Sequence, residues 1–108
     1  MTYKIIFYVP EAEAQRVKQA IFEAGAGGYE LYDSCAWQTK GMGQFRPKEG
    51  SNPFIGSKGK LEYVPELRVE TICDGDHIRK ALEALLAAHP YEEPAYEVVE
   101  IRQLEDFD

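Results

Sequence analysis

The sequence predicts an α+β fold: an antiparallel sheet with two helices on one face and a long arm between its second and third strands. Two segments carry the apolar spacing of helices. They are Ala14, Val17, Ile21 and Ala24 in the first, and Ile78, Ala81, Leu82, Leu85 and Leu86 in the second. Four other segments have the composition or alternation of strands. Their order, β-α-β-β-α-β, is the ferredoxin-like split βαβ pattern, and right-handed crossovers leave few competing topologies.

Each element has a local cause. Residues 3–9, Tyr-Lys-Ile-Ile-Phe-Tyr-Val, are rich in β-formers. Pro10 suits the first turn of a helix, where a missing N–H does no harm, and Glu11 and Glu13 lie near that helix's positive end. Gly25 is placed to stop the helix in a left-handed conformation. From residue 29 to 38 alternation returns, with Tyr29, Leu31, Asp33, Cys35 and Trp37 on one face, and predicts the second strand. Residues 40–60 are dense in Gly, Pro, Lys and Ser, and read as an extended arm that continues the flanking strands as a projecting hairpin. Phe45, Phe54 and Ile55 are too apolar for a free arm, so it is expected to dock on its own chain or a neighbouring one.

The third strand alternates cleanly, with Leu67, Val69 and Thr71 inward and Glu66, Arg68 and Glu70 outward. Pro65 cannot donate to a ladder and marks a bulge or an edge. In Asp74-Gly75-Asp76 either aspartate can cap the second helix, and Asp76 is the expected one. His89 and Pro90 end that helix, residues 96–102 form the last strand, and residues 105–108 are a frayed tail.

Strand one is apolar on both faces: Tyr3, Ile5, Phe7 and Val9 on one, Ile6 and Tyr8 on the other. A sheet with helices on one side should be polar on the other. The second apolar face predicts cover, by another subunit or by the arm.

The bulk numbers set limits. The 108 residues fit one domain, 1–108, able to bury a core without staples. A formal net charge of −7 argues against nucleic-acid binding, which needs a basic surface. Only two cysteines are present, Cys35 and Cys73, which fits reduced thiols in a cytoplasmic protein. No apolar run approaches the ~20 residues of a membrane span, and no signal peptide is visible.

The tract His89-Pro90-Tyr91-Glu92-Glu93-Pro94 joins the second helix to the last strand. It resembles the His-Pro-Tyr-Glu-x-Pro segment of CutA-type divalent-cation tolerance proteins. It is closer still to the CutA/PII-like domain inserted in YqfO-type dimetal proteins, often called GTP cyclohydrolase type 2 homologues. The resemblance extends to Glu23-Ala24-Gly25-Ala26-Gly27-Gly28-Tyr29, Cys35-Ala36-Trp37, Gly41-Met42-Gly43-Gln44-Phe45-Arg46-Pro47, Asn52-Pro53-Phe54-Ile55-Gly56 and Gly59-Lys60-Leu61-Glu62. It implies a PII/CutA-like fold and a homotrimer. The larger metal-binding portion of the YqfO-type proteins has no counterpart in this sequence, so the cyclohydrolase activity is not carried over, and the domain is expected not to be an enzyme.

Candidate site residues fall in three sets. His89 with Glu92 and Glu93 offers an imidazole and carboxylates to a divalent metal, against a purely structural role at the helix end. Arg46, Lys48, Lys58 and Lys60 make the arm locally basic and suited to an anionic small molecule, against a merely solvated arm. Ile6, Tyr8, Phe45, Phe54, Pro90 and Tyr91 are the candidate interface. The segment Gly56-Ser57-Lys58-Gly59-Lys60 lacks the order of a P-loop. Cys73-Asp74-Gly75-Asp76-His77 has a ligand-like composition but reads as a strand end and a helix cap. No nucleophile sits beside an obvious base, so no catalytic residue is named. The expected function is an oligomeric domain that binds a small ligand, a divalent metal or a partner protein. The alternatives are a purely structural oligomerisation module and a small metal-dependent hydrolase.

Overall fold

Strand β1 (Thr2–Pro10) lies in the interior of a four-stranded sheet of order β2-β3-β1-β4, and every pairing in that sheet is antiparallel. The computed structural model describes all 108 residues. After β1 come a 3-10 turn (Glu11–Glu13), α1 (Ala14–Glu23), β2 (Ala36–Phe45), β3 (Glu62–Asp74), α2 (Ile78–Ala88), β4 (Tyr96–Ile101) and a closing 3-10 turn (Leu104–Asp106). This is the α+β, ferredoxin-like arrangement that the periodicities predict.

The register explains which side chains meet the helices. Ile5 pairs with Thr71, Phe7 with Val69 and Val9 with Leu67, so these residues share one face. They are buried against Ala14, Val17 and Ile21 of α1 and Ala81 and Leu85 of α2. Ile5, Phe7, Val9, Val17, Ile21, Val69 and Leu85 have no solvent exposure. Burial of each such large apolar side chain contributes roughly 1.5–3 kcal/mol. Gly25 stops α1 with φ +112°, as expected, and a Cβ there would overlap the His77 ring.

Four details differ from the sequence reading. Pro10 ends β1, and a 3-10 turn precedes α1. β2 starts at Ala36, seven residues later than alternation suggests. Residues 29–35 form a turn in which Glu30 (φ 53°) and Ser34 (φ 56°) take left-handed conformations that no strand allows. Neither aspartate is the N-cap of α2, a place that His77 takes with no side-chain bond; Asp74 instead closes the turn before the helix, its Oδ1 accepting the His77 backbone N–H at 3.0 Å and lying 2.8 Å from His77 Nδ1. This contact with His77 holds the Asp74 carboxyl below the usual carboxylate range. The tail is ordered, with Gln103 and Asp106 closing a capping box around the last turn.

β2 and β3 continue past the end of β1 as a hairpin, so the base of the arm is regular ladder. Pro65 pairs with Met42 of β2 beyond the Pro10–Glu66 pair that ends the β1 ladder. β3 therefore has an open edge there, which is where a proline is tolerated. No helix is long and apolar enough to cross a membrane.

Candidate functional site

The open face of the sheet, opposite the helices, leads to the site. Lys4, Ile6 and Tyr8 of β1 lie on it with Glu66, Arg68 and Glu70 of β3. Lys4 pairs with Glu70 at 3.1 Å, Arg68 reaches Glu70 at 3.2 Å, and the Arg68 guanidinium lies 6.0 Å from the Tyr8 ring centre. The Lys4 hydrogen bond is the main cause of a lowered Glu70 pKa. Ile6 is buried within this face, while Trp37 of β2 and Val99 of β4 stay 61% and 45% exposed. The arm does not reach these two side chains. β4 is exposed along almost all of its length.

The arm docks on its own chain at one end of this face. Tyr91 is the hub: its ring centre is 5.8 Å from Phe45, 6.4 Å from Phe54 and 5.0 Å from His89. The Tyr91 hydroxyl donates to Glu66 Oε2 at 2.7 Å. Burial first, and then the Glu66 carboxylate, raise the Tyr91 pKa well above the ordinary phenol value. Glu92 adds a second tie by accepting the Asn52 backbone N–H at 3.0 Å. Glu66 lies over Gly43, where any Cβ would collide with its carboxylate.

His89 anchors the tract from beneath. It is one of two buried polar side chains, with Thr71. Its Nε2 donates to the Tyr8 carbonyl at 2.6 Å, and its Nδ1 accepts the Tyr91 backbone N–H at 3.1 Å. That pair of bonds specifies a neutral ring with its proton on Nε2. The helix dipole favours a cation at this position, but burial outweighs it and lowers the His89 pKa.

Between the docked arm and the tract lies a cleft of about 710 Å³. Its aromatic walls are Tyr8, Phe45, Phe54 and Tyr91, and its charged groups are Arg46, Lys48, Glu49, Glu66, Glu92 and Glu93. The volume is within the usual range for small-molecule sites.

The candidate residues divide on this map. Arg46 and Lys48 line the cleft; Lys58 and Lys60 do not. The cleft thus carries more carboxylates than cations, which is not the basic cradle expected of the arm. Glu92 and Glu93 line it, but His89 does not and has both ring nitrogens engaged. No group of three or more His, Cys, Asp or Glu side chains gathers in a metal-binding arrangement within the chain. Tyr8, Phe45, Phe54 and Tyr91, expected at an interface, form cleft walls within one chain, and Pro90 is partly buried beside them. Sequence reasoning missed Glu66, read only as an outward strand residue, and Gly43, whose lack of a side chain makes room for it. Cys73 is buried, which pushes its thiol up to about 11, and Cys35 is partly exposed; both are free.

Comparisons with known proteins agree with the fold. No family model matches the chain. A GTP cyclohydrolase 1 type 2 homolog from Halalkalibacterium halodurans is 45% identical over 96 residues, covering 89% of this chain and 26% of the relative. A Bacillus cereus protein related to NIF3 superposes with a TM-score of 0.80 at 38% identity, covering 94% of this chain and 26% of that one. The periplasmic divalent cation tolerance protein CutA from Archaeoglobus fulgidus matches over 98% of this chain and 90% of its own length. Its TM-score is 0.67 and its identity 19%, a likeness of fold alone. The chain has a CutA-like fold and is similar to a segment of proteins named GTP cyclohydrolase 1 type 2 homolog. It spans about a quarter of the length of the curated relatives it matches.

Proposed function

We propose that this CutA/PII-like domain is a non-catalytic homotrimer that binds a small ligand in the cleft between arm and tract. One observation carries the binding reading: the cleft joins aromatic walls to charged side chains outside the protein's ion pairs. Those ion pairs use Lys4, Arg16, Lys40, Arg68, His77 and Arg79 as cations, none of which lines the cleft. Charges left unpaired beside an apolar wall are available to a ligand.

Assembly is supported by the open sheet face, where Trp37 of β2 and Val99 of β4 remain exposed on the face that also carries Ile6. Apolar side chains grouped on one face mark an interaction surface. A small molecule suits the cleft better than a divalent metal, because His89 does not line it and could ligate a metal only by giving up one of its two hydrogen bonds. Two free cysteines, one of them buried, suit a reducing cytoplasm.

Native mass of the purified protein, before and after EDTA and with metal analysis of the same sample, tests this reading. The expected result is a metal-free trimer that ignores EDTA. A monomer would overturn the assembly, and a trimer with stoichiometric metal that EDTA dissociates would transfer the function to a metal site. Nucleotide turnover that collapses in His89→Ala would restore the hydrolase alternative.

A further inference from the structure

The cleft has a charge pattern that selects among ligands, and this inference rests on its being a binding site. Arg46 and Lys48 come from the arm, whereas Glu66 comes from the sheet and Glu92 and Glu93 from the tract. Both cations of the cleft therefore come from the arm, which adds one carboxylate, Glu49, whereas the sheet and the tract supply three carboxylates and no cation. Glu66 and Glu92 are held by the Tyr91 hydroxyl and the Asn52 N–H, so their charge is fixed in place. A ligand with only negative charge would meet Arg46 and Lys48 but also the carboxylates opposite. A ligand with only positive charge would meet the reverse. We propose that the cleft binds an aromatic zwitterion of amino-acid to dipeptide size, its carboxylate toward Arg46 and Lys48 and its ammonium toward Glu66 and Glu93.

The aromatic part follows from the walls. Tyr8, Phe45, Phe54 and Tyr91 line the same cleft as the charged groups. Rings stack on rings, and an ammonium is attracted to ring faces as well as to carboxylates. Bridging opposite walls also gives the ligand a consequence: it adds a third tie between arm and tract to those made by Tyr91 and Glu92.

Isothermal titration calorimetry of the full chain with L-tryptophan tests the proposal. The comparison ligands are N-acetyl-L-tryptophan, which lacks the cation, L-tryptophanamide, which lacks the anion, and inorganic pyrophosphate. Binding of L-tryptophan is expected, with a loss of at least tenfold in affinity for either blocked form. Arg46→Ala combined with Lys48→Ala should remove it, and Glu93→Gln should weaken it. Lys58→Ala combined with Lys60→Ala should leave it unchanged. Thermal unfolding of each variant establishes that it is folded. Equal binding of a blocked form, or equal loss in the Lys58/Lys60 variant, would overturn the proposal. Binding of pyrophosphate without L-tryptophan would overturn it while leaving the cleft a ligand site. Binding of none of the four would overturn both readings.

Discussion

The Tyr91 hydroxyl donates to the Glu66 carboxylate at 2.7 Å, across 25 residues of sequence. This bond ties the tract after α2 to the third strand, and the Tyr91 ring extends the tie to the arm through Phe45 and Phe54. Tyr91→Phe keeps the ring and removes the bond. It should lower stability by about 1–2 kcal/mol, the usual cost of leaving a partly buried acceptor without its donor. Tyr91→Ala should cost more, because ring contacts go as well. Urea midpoints of the two variants check both the direction and the order.

Gly43→Ala should weaken the same tie from the opposite side. The new methyl group occupies the place of the Glu66 carboxylate, so Glu66 must swing away from Tyr91. Gly41→Ala, where a Cβ meets nothing within 4 Å, is the matched control. Stability should fall in the first variant and hold in the second. In a Glu66→Ala background the cost of Gly43→Ala should vanish, a non-additivity that a double-mutant cycle reads directly.

Stability should fall between about pH 7 and pH 5.5 through His89. An unfolded histidine takes a proton near pH 6.5. Burial lowers the folded pKa, so the native state resists the proton that the unfolded state accepts. The stabilisation is therefore complete above the unfolded pKa and is lost as pH falls through the folded one. The geometry supports this sign, since a proton on Nδ1 would face the Tyr91 N–H donor. Glu66 opposes the shift and Arg16 reinforces it. Urea midpoints at pH 7.5 and 5.5 should differ more in the native protein than in His89→Ala. Equal differences would remove His89 as the cause.

Trp37→Glu and Val99→Glu should dissociate the assembly and leave the fold intact. Both side chains are exposed on the open sheet face and contribute little to the core of one chain. Native mass should fall to that of a monomer with an unchanged far-ultraviolet spectrum. A retained trimer in both variants would place the subunit contact elsewhere.

What could be read from the sequence was what depends on neighbours in sequence. The stripes Val17–Ile21 and Ala81–Leu85 and the alternation Leu67–Val69–Thr71 carry their own period, and each lies where that period puts it. The start of β2 was illegible because Tyr29, Leu31 and Cys35 alternate without joining the sheet ladder, which begins at Ala36. The left-handed turns at Glu30 and Ser34 belong to non-glycine residues that do not announce them. The cleft was harder still. Its walls come from Tyr8, residues 43–54, Glu66 and residues 91–95, and only the folded register brings these together. His89 was conspicuous as an imidazole, but its role was decided by burial and by the Tyr8 carbonyl, 81 positions away.

The contrast between the two thiols has a consequence for handling and for oxidative chemistry. Cys73 is 1% exposed and its thiolate is strongly disfavoured, with the pKa near 11, so oxidants and alkylating reagents have neither access nor a nucleophile to meet. Cys35, at the partly open mouth of β2, is the sulfur they reach first. A single probe attached there would report on the chain from just outside its sheet, with the second sulfur silent until the core opens.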